Sequence, residues 1–181
     1  MNKITIVGAG SVGATIAYKL ASEMIASEIV LVDVRSEKAL GEAMDIRQGM
    51  AFIGKVNIYA GSYDDLMDAA IIILSAGAGQ KPGETRLDLV HKNVGIFQSI
   101  LPELSSRNCQ GILLVVANPV DILTKVALCT SHFPPSRVIG SGTVLDTARL
   151  KFLVGERLGV DSRNVHTFII GEHGDSELAV W

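Results

Sequence analysis

The stretch KITIVGAGSVGATIAYKLASE, residues 3–23, decides the fold of this chain. A β-branched run opens it, and GAGSVG at 8–13 then matches G-x-G-x-x-G directly before a helical stretch. In this pattern Gly8 permits a tight turn, Gly10 lets the backbone approach a ligand closely, and Gly13 allows the helix to pack against the strand. The stretch therefore predicts a strand, an anion-binding turn and a helix, in that order.

The next predicted strand ends in an acidic residue. Residues 28–33 read EIVLVD, and Asp33 stands twenty positions after Gly13. A carboxylate at this place accepts hydrogen bonds from both hydroxyls of a ribose and repels a 2′-phosphate. The glycine motif, its place between a strand and a helix, and Asp33 together predict a dinucleotide site that binds NAD rather than NADP. Arg35, two residues after Asp33, weakens the exclusion of the 2′-phosphate of NADP.

Farther along the chain, short apolar runs alternate with helical stretches. The predicted strands are 3–8, 28–33, 56–60, 71–75, 112–117 and 137–140, and the predicted helices are about 12–25, 36–50, 85–108 and 119–131. Thr85 is expected to begin the third helix, and Pro102 to kink or break it. This alternation predicts an α/β fold with a doubly wound parallel sheet of about six strands, whose ligand lies at their carboxyl ends.

After Gly140 the pattern changes. Residues 143–158 predict a helix and 165–170 a strand, followed by GEHGD and a last apolar piece, LAVW. We therefore expect a dinucleotide-binding domain at 1–141 and the beginning of a second, α+β domain at 142–181. An apolar run that ends without a turn or cap indicates that this second domain is incomplete, and the alternative is a natural terminus buried in a sheet.

Composition excludes several classes of protein. Apolar residues make up 48% of the chain and the formal net charge is −3, which excludes intrinsic disorder and disfavours nucleic-acid binding. The longest apolar runs, such as ILLVVA at 112–117, are too short to cross a membrane. The two cysteines, Cys109 and Cys129, form neither a disulfide framework nor a thiolate metal site, and the chain opens without a signal-peptide pattern. We expect a cytoplasmic globular protein.

Several polar residues follow predicted strands, where the ligand crevice should lie. Asn118 comes after the fifth strand, and its alternative role is to cap the next helix. Asp146 and Arg149 share a helix face at i, i+3, and a bare pair of this kind is more often a surface ion pair that contributes little. His173 lies in a glycine-flanked loop beside acidic residues, the minimal acid/base device near neutral pH, whereas a lone loop histidine is usually just solvated.

The glycine-rich segment 77–86 carries Gln80, Lys81 and Arg86, which suits a mobile lid or a plain surface loop. The four histidines show no ligand spacing, so no metal site is predicted. Neither a nucleophile elbow nor a P-loop occurs, which disfavours nucleophilic hydrolysis and phosphoryl transfer.

These motifs, in this order, resemble the L-lactate/malate dehydrogenase family over the whole chain. The matching segments are GAGSVG at 8–13, Asp33, AGAGQKPGETRLDLV at 76–90, ANPVD at 117–121, GSGTVLDTARL at 140–150 and IIGEHGDSE at 169–177. The resemblance implies a Rossmann sheet, NAD as cofactor, pyruvate and lactate as substrates, and a homo-oligomer, a homotetramer in full-length members.

The resemblance also implies roles for single residues. His173 would donate or accept the proton on the C2 oxygen of the substrate, and Asp146 would orient its imidazole. Arg149 would bind the substrate carboxylate through its planar fork. Arg86 would polarise the carbonyl when the lid closes, and Asn118 would hydrogen-bond the same oxygen.

Cofactor contacts are implied at Gly8, Gly10, Val12, Gly13, Asp33, Lys38, Tyr63, Gly77, Ala78, Ser99, Asn118 and Ser141. On the lid, Gln80 would face the substituent at C3 of the 2-oxo acid, where malate-specific members have an arginine. A neutral Gln80 favours the methyl group of pyruvate over the second carboxylate of oxaloacetate, because a closed site would leave that carboxylate without a cation.

Some family members are activated by fructose 1,6-bisphosphate, and the matching positions here are Lys151 and His166. Family members more often have an arginine at the position of Lys151, and an arginine can hold a phosphate through two parallel hydrogen bonds. Lysine binds phosphate as a single point charge, so strong activation by the bisphosphate is not expected. Two alternatives to an L-lactate dehydrogenase stay open: an isolated dinucleotide-binding fragment without turnover, and a dehydrogenase for malate or another 2-hydroxy acid.

Overall fold

A computed structural model describes residues 2–181 of the chain. Its strands are β1 (Lys3–Val7), β2 (Glu28–Val32), β3 (Asn57–Ala60), β4 (Ile71–Leu74), β5 (Ile112–Val115), β6 (Val138–Gly140), β7 (Phe168–Ile170) and β8 (Leu178–Val180). Its helices are α1 (Ser11–Ser22), α2 (Ser36–Ile53), α3 (Arg86–Ser106), α4 (Val120–Thr130) and α5 (Val144–Leu158). The bounds agree with the predicted elements to within three residues at nearly every end.

The first six strands form one parallel sheet in the order β3-β2-β1-β4-β5-β6. β1 lies at the centre and pairs with β2 on one side and with β4 on the other. The chain therefore reverses its winding direction between β1 and β4, and this reversal opens a crevice at the carboxyl ends of the strands. The predicted doubly wound six-stranded fold is confirmed.

Apolar side chains cover both faces of the sheet. On one face Ile6, Ile29 and Ile58 pack with alanines of α1 and α2. On the other face apolar residues of β4 and β5 pack with α3 and α4, around the fully buried Phe97 and Leu123. Burial on both faces explains the continuously apolar strands of the sequence.

α3 continues through Pro102 to Ser106, so the expected break does not occur, while the alternative of a kink stays a prediction. Thr85 caps the helix as predicted, in a capping box with Asp88. Proline removes one backbone hydrogen bond. The adjacent Leu101 and the nearby Leu104 are buried in the core, and their packing holds the helical path.

The C-terminal part of the chain consists of α5 and an antiparallel pair of short strands, β7 and β8. Hydroxyl groups join the helix to the strand: Thr143 Oγ1 donates to Ile169 O at 2.6 Å, and Ile169 N donates to Thr147 Oγ1 at 2.9 Å. The outer side of this part is apolar and exposed at Phe152 and Trp181. Within residues 2–181, no helix has both the length and the apolar content that crossing a membrane requires.

Candidate active site

Three adjoining cavities follow the carboxyl ends of the central strands. The first, about 410 Å³, is lined by Gly8, Gly10, Asp33, Tyr63, Gly77 and Ser99 among others. The second, about 340 Å³, shares Gly77 with the first and adds Val12, Ala78, Gln80 and Asn118. The third, about 790 Å³, shares Gln80 and Asn118 with the second and adds Arg86 and His173. Most of the predicted site residues therefore border one continuous crevice.

The glycine turn has the geometry that the sequence predicts. Gly8 has a φ of +107°, and a Cβ there would lie 2.5 Å from the backbone nitrogen of Ala76. A Cβ on Gly13 would collide with the carbonyl oxygen of Gly8 and with Ser75 Oγ. A Cβ on Gly10 would meet nothing within 4 Å, so this position faces open space at the N-terminus of α1. Of the three glycines of the motif, only Gly10 has open space where a Cβ would stand.

Asp33 is held rigidly at the mouth of the first cavity. Its Oδ2 accepts a hydrogen bond from Ala9 N at 2.7 Å, and its Oδ1 accepts one from Arg35 N at 2.9 Å. Arg35 Nε lies 3.9 Å from Asp33 Oδ1, and 71% of the Arg35 side chain is exposed. Burial, aided by the charge of Glu103, raises the pKa of the nearby Tyr63, which therefore stays a neutral hydroxyl at physiological pH. A carboxylate, a hydroxyl and an open glycine turn fit an adenosine diphosphate group.

Three of the predicted cofactor residues, Gly13, Lys38 and Ser141, do not border the three cavities. Gly13 packs against Gly8 and Ser75 instead. Lys38 lies half-buried in the first turn of α2, and Ser141 lies half-buried just after β6, where its backbone N–H donates to Val115 O. Their assignment as cofactor contacts stays a prediction.

His173 and Asp146 form a close pair. Nδ1 of His173 lies 2.5 Å from Oδ2 of Asp146, whose side chain is 9% exposed. This contact places the ring proton on Nδ1 and leaves Nε2 as the nitrogen available to a ligand. The His173 ring borders the third cavity and its side chain is 27% exposed. The pair therefore has the geometry of an oriented general acid/base.

Asp121 also fixes the loop that carries His173, through a contact that the sequence does not predict. Its Oδ2 accepts a hydrogen bond from the backbone N–H of His173 at 2.9 Å. Asp121 lies in the first turn of α4, on the ANPVD segment that also carries Asn118. Its position after a strand predicts a site at this segment, but nothing in the local pattern reveals a partner fifty-two residues away.

The segment between β4 and α3 is tied together by its own polar groups. Gln80 Nε2 donates to the carbonyl oxygen of Glu84 at 2.8 Å, and the Glu84 carboxylate accepts from Lys81 N and Lys92 Nζ. These contacts, the Lys92 hydrogen bond foremost, lower the pKa of Glu84. Arg86 Nη1 lies 3.5 Å from Asp175 Oδ2 across the third cavity, in an exposed pair that water screens.

Arg149 lies next to the His173–Asp146 pair but outside the third cavity. Its Nη1 is 3.2 Å from Oδ1 of Asp146, the oxygen that His173 does not use, and its side chain is 61% exposed. It borders a shallow apolar depression with Phe152 and Leu153 instead. The expected shared face of Asp146 and Arg149 is confirmed, whereas contact between Arg149 and a ligand beside His173 stays a prediction.

Asn118 is exposed in the crevice and does not cap a helix. α4 has Pro119 at its N-cap position and no side-chain cap hydrogen bond. The alternative of a simple helix cap is therefore wrong. The Asn118 side chain is free to bind a ligand between the second and third cavities.

The structure also brings together a mixed group of possible metal ligands. Donor atoms of Asp146, His173 and Glu177 lie within 4.8 Å of one another. The 2.5 Å between Asp146 and His173 is a hydrogen-bond distance and leaves no room for an ion between those two atoms. The arrangement as it stands fits a shared proton better than a bound metal.

Models of two protein-family domains match the chain. Residues 2–140 match the NAD binding domain of lactate/malate dehydrogenase, and residues 143–181 match its alpha/beta C-terminal domain. The six-stranded sheet therefore corresponds to the NAD-binding domain of this family. This agrees with the NAD site that Asp33 and the glycine turn predict.

Individual relatives agree. The chain is 57% identical over 180 residues to L-lactate dehydrogenase of Clostridium perfringens, covering 99% of this chain and 57% of that protein. The minor L-lactate dehydrogenase of Enterococcus mundtii superposes with a TM-score of 0.96 in its ligands-bound form, at 48% identity over 99% of this chain and 58% of that one. Its ligands-unbound form gives a TM-score of 0.88 at 46% identity, over 99% of this chain and 56% of that one.

The chain spans a little over half the length of these relatives. Both family models and the relatives match along its whole described length, and the folds coincide. The chain belongs to the lactate/malate dehydrogenase family.

Proposed function

We propose that this chain carries the cofactor domain and the acid/base pair of an L-lactate dehydrogenase, which reduces pyruvate to L-lactate reversibly. The observation that carries the proposal is the His173–Asp146 pair at 2.5 Å, facing a cavity continuous with the dinucleotide crevice. We further propose that residues 1–141 form the NAD-binding domain and residues 142–181 the first part of the substrate domain.

The first two cavities would hold the cofactor. Asp33 would accept hydrogen bonds from the adenosine ribose, and the N-terminus of α1 at Gly10 would face the pyrophosphate. When bound, NADH supplies the hydride that reduces C2 of the substrate. Gly77 and Ala78 border the second cavity, which adjoins the first, and they would contact the nicotinamide half of the cofactor.

The proton in this reaction would come from His173. Asp146 keeps Nδ1 protonated and fixes the ring plane, so the protonated ring donates from Nε2 to the C2 oxygen as the alcohol forms. Arg86, across the same cavity, would stabilise negative charge on that oxygen, and Asn118 would donate a hydrogen bond to it. Lactate oxidation returns the proton to His173 along the same path.

Arg149 would bind the substrate carboxylate, as the family resemblance implies. Its guanidinium now contacts Asp146, so this role requires the exposed side chain to turn toward the third cavity. An arginine fork can hold a carboxylate through two parallel hydrogen bonds, which would fix the orientation of C2.

The structure suits pyruvate better than oxaloacetate at Gln80. Gln80 Nε2 donates one of its two N–H groups to Glu84 O. The side chain is neutral, so it tolerates the methyl group of pyruvate but gives a second carboxylate no countercharge. This supports lactate rather than malate as the product.

An anion site at Lys151 and His166 is a further part of the proposal. Lys151 Nζ lies 5.5 Å from the centre of the Phe168 ring, and His166 lies on the same exposed side of its segment as Phe168. A lysine and a histidine at such positions suit a sugar bisphosphate between subunits of an oligomer. Adding fructose 1,6-bisphosphate to the activity assay tests this, and an unchanged rate at all concentrations would contradict it.

The experiment that tests the main proposal is NADH oxidation by the purified 181-residue chain, with pyruvate and oxaloacetate in parallel and NADH binding measured by fluorescence. Turnover with pyruvate, much less with oxaloacetate, supports the proposal. His173→Gln should abolish it, while the matched variant of an exposed histidine, His91→Gln, should not. Retained NADH binding without turnover would overturn the proposal for this chain and favour a dinucleotide-binding fragment.

A further inference from the structure

One buried side chain joins the two loops that border the second cavity. Asn93 lies on α3, is 1% exposed and shares its helix face with the buried Phe97 and Ile100. A primary amide in such an apolar position is unfavourable unless its polar atoms are hydrogen-bonded. Its presence therefore demands partners from outside its own helix.

All three of those partners are backbone atoms of the crevice. Asn93 Oδ1 accepts from Ala78 N at 2.8 Å, and Nδ2 donates to Ala78 O at 3.2 Å and to Asn118 O at 2.7 Å. Ala78 follows β4 and opens the segment that leads to Gln80, whereas Asn118 follows β5. The amide thus bridges the ends of two neighbouring strands, where the second cavity lies between them.

We infer that Asn93 is a positioning residue for the nicotinamide half of the cofactor, because it fixes the separation of Ala78 and Asn118. The inference rests on the proposed function, which assigns NADH to this crevice. Asn93 makes no direct contact with the first cavity, which is lined by Asp33, Tyr63 and Ser99. Its effect should therefore be confined to one end of the dinucleotide.

Neither of the side chains closest to asparagine in size, aspartate and leucine, supplies the same set of bonds. An aspartate lacks both donors and would set its charge against two carbonyl oxygens, and a leucine would leave one N–H and two C=O groups without their partner. Alanine removes all three bonds with the least steric disturbance. Gln98, exposed on the same helix, provides a matched control.

The test compares Asn93→Ala with Gln98→Ala in the whole chain, using NADH and AMP as two separate probes. AMP reaches only the adenosine end, so its affinity should change less than about twofold in Asn93→Ala, while NADH affinity should fall about tenfold. Equal losses for both probes, or no loss for either, would overturn the inference. Failure of the unaltered chain to bind NADH would instead overturn the proposed function.

Amide hydrogen exchange in the unaltered chain provides a second measurement that does not depend on the variant folding. The N–H of Ala78 is bonded to a buried side chain, so it should exchange far more slowly than the N–H of Gly79 in the same segment. Equal exchange rates at Ala78 and Gly79 would also overturn the inference.

Discussion

At the scale of single residues, Gln80 offers the sharpest test of substrate choice. Gln80→Arg places a cation at the border of the third cavity, so we expect the preference for pyruvate over oxaloacetate to fall about a hundredfold or more, because the second carboxylate gains a charged partner. Lys81→Arg, one position along the same loop, is the control. An unchanged ratio of kcat/KM for the two substrates would contradict the role given to Gln80.

Asp33 governs the choice of cofactor at the same scale. Asp33→Ser removes the carboxylate that accepts from Ala9 N and Arg35 N, and we expect NADH affinity to fall about tenfold. NADPH should lose less, because the repulsion of its 2′-phosphate disappears and Arg35 remains. Titration of both cofactors measures the ratio, with the exposed Glu37→Ser as control. A ratio equal to that of the unaltered chain would count against this assignment.

Some residues of the site could be predicted from the sequence, and others could not. The location of Gly10, Asp33, Gln80, Arg86 and His173 at the crevice was predictable, because each lies at or after the end of a predicted strand. Asn93 and Asp121 were not, since their partners lie 15 to 52 residues away. The signal for Asn93 was present, as a polar residue on an apolar helix face, but its meaning depends on loops that only the folded chain brings to it.

At the scale of elements, the fit between β1 and α1 depends on Gly13 but not on Gly10. Gly13→Ala should lower the free energy of unfolding by about 3 kcal/mol, because its Cβ collides with backbone that cannot move aside. Gly10→Ala should change stability by less than about 0.5 kcal/mol and still weaken NADH binding, since its methyl group stands where the ligand approaches. Urea denaturation and NADH titration of both variants check this, and the reverse pattern would refute it.

The amino ends of the strands carry a polar cluster. Lys3 Nζ on β1 lies 2.8 Å from Asp68 Oδ1 and 3.6 Å from Glu28 Oε1. Burial tends to lower the pKa of Lys3, but its hydrogen bond to Asp68 and the nearby carboxylates outweigh burial and raise the pKa. The same hydrogen bond lowers the pKa of Asp68 below its usual 3.8. The pair therefore stabilises the fold between these limits.

We expect Lys3→Met to lower the free energy of unfolding by about 2 kcal/mol at pH 7. The difference from the unaltered chain should disappear as the pH falls through the depressed pKa of Asp68, and also as it rises beyond 10.5 through the raised pKa of Lys3. Urea denaturation at several pH values measures this. Lys19→Met, which breaks an exposed pair with Glu23, is the control, and a pH-independent difference would contradict the prediction.

At the scale of the whole molecule, the sheet and the C-terminal part meet at the histidine loop. Asp121→Ala removes the acceptor for His173 N, so amide exchange at His173 should accelerate about tenfold, while exchange at Ile169, held by Thr147, stays unchanged. Asp121→Asn keeps an acceptor oxygen and should preserve slow exchange. Equal rates in the alanine variant and the unaltered chain would show that the loop is fixed by other contacts.

The central place of β1 has a consequence for synthesis on the ribosome. β1 can pair with β2 once residue 32 has emerged, but its other edge has no partner until β4, ending at Leu74, follows. During that interval an apolar strand edge is open to pairing with other chains. β1 and β4 lie far apart in the sequence, and parallel pairing between such distant strands forms slowly. The yield of folded chain should therefore depend on the rate of translation over the first seventy or so residues.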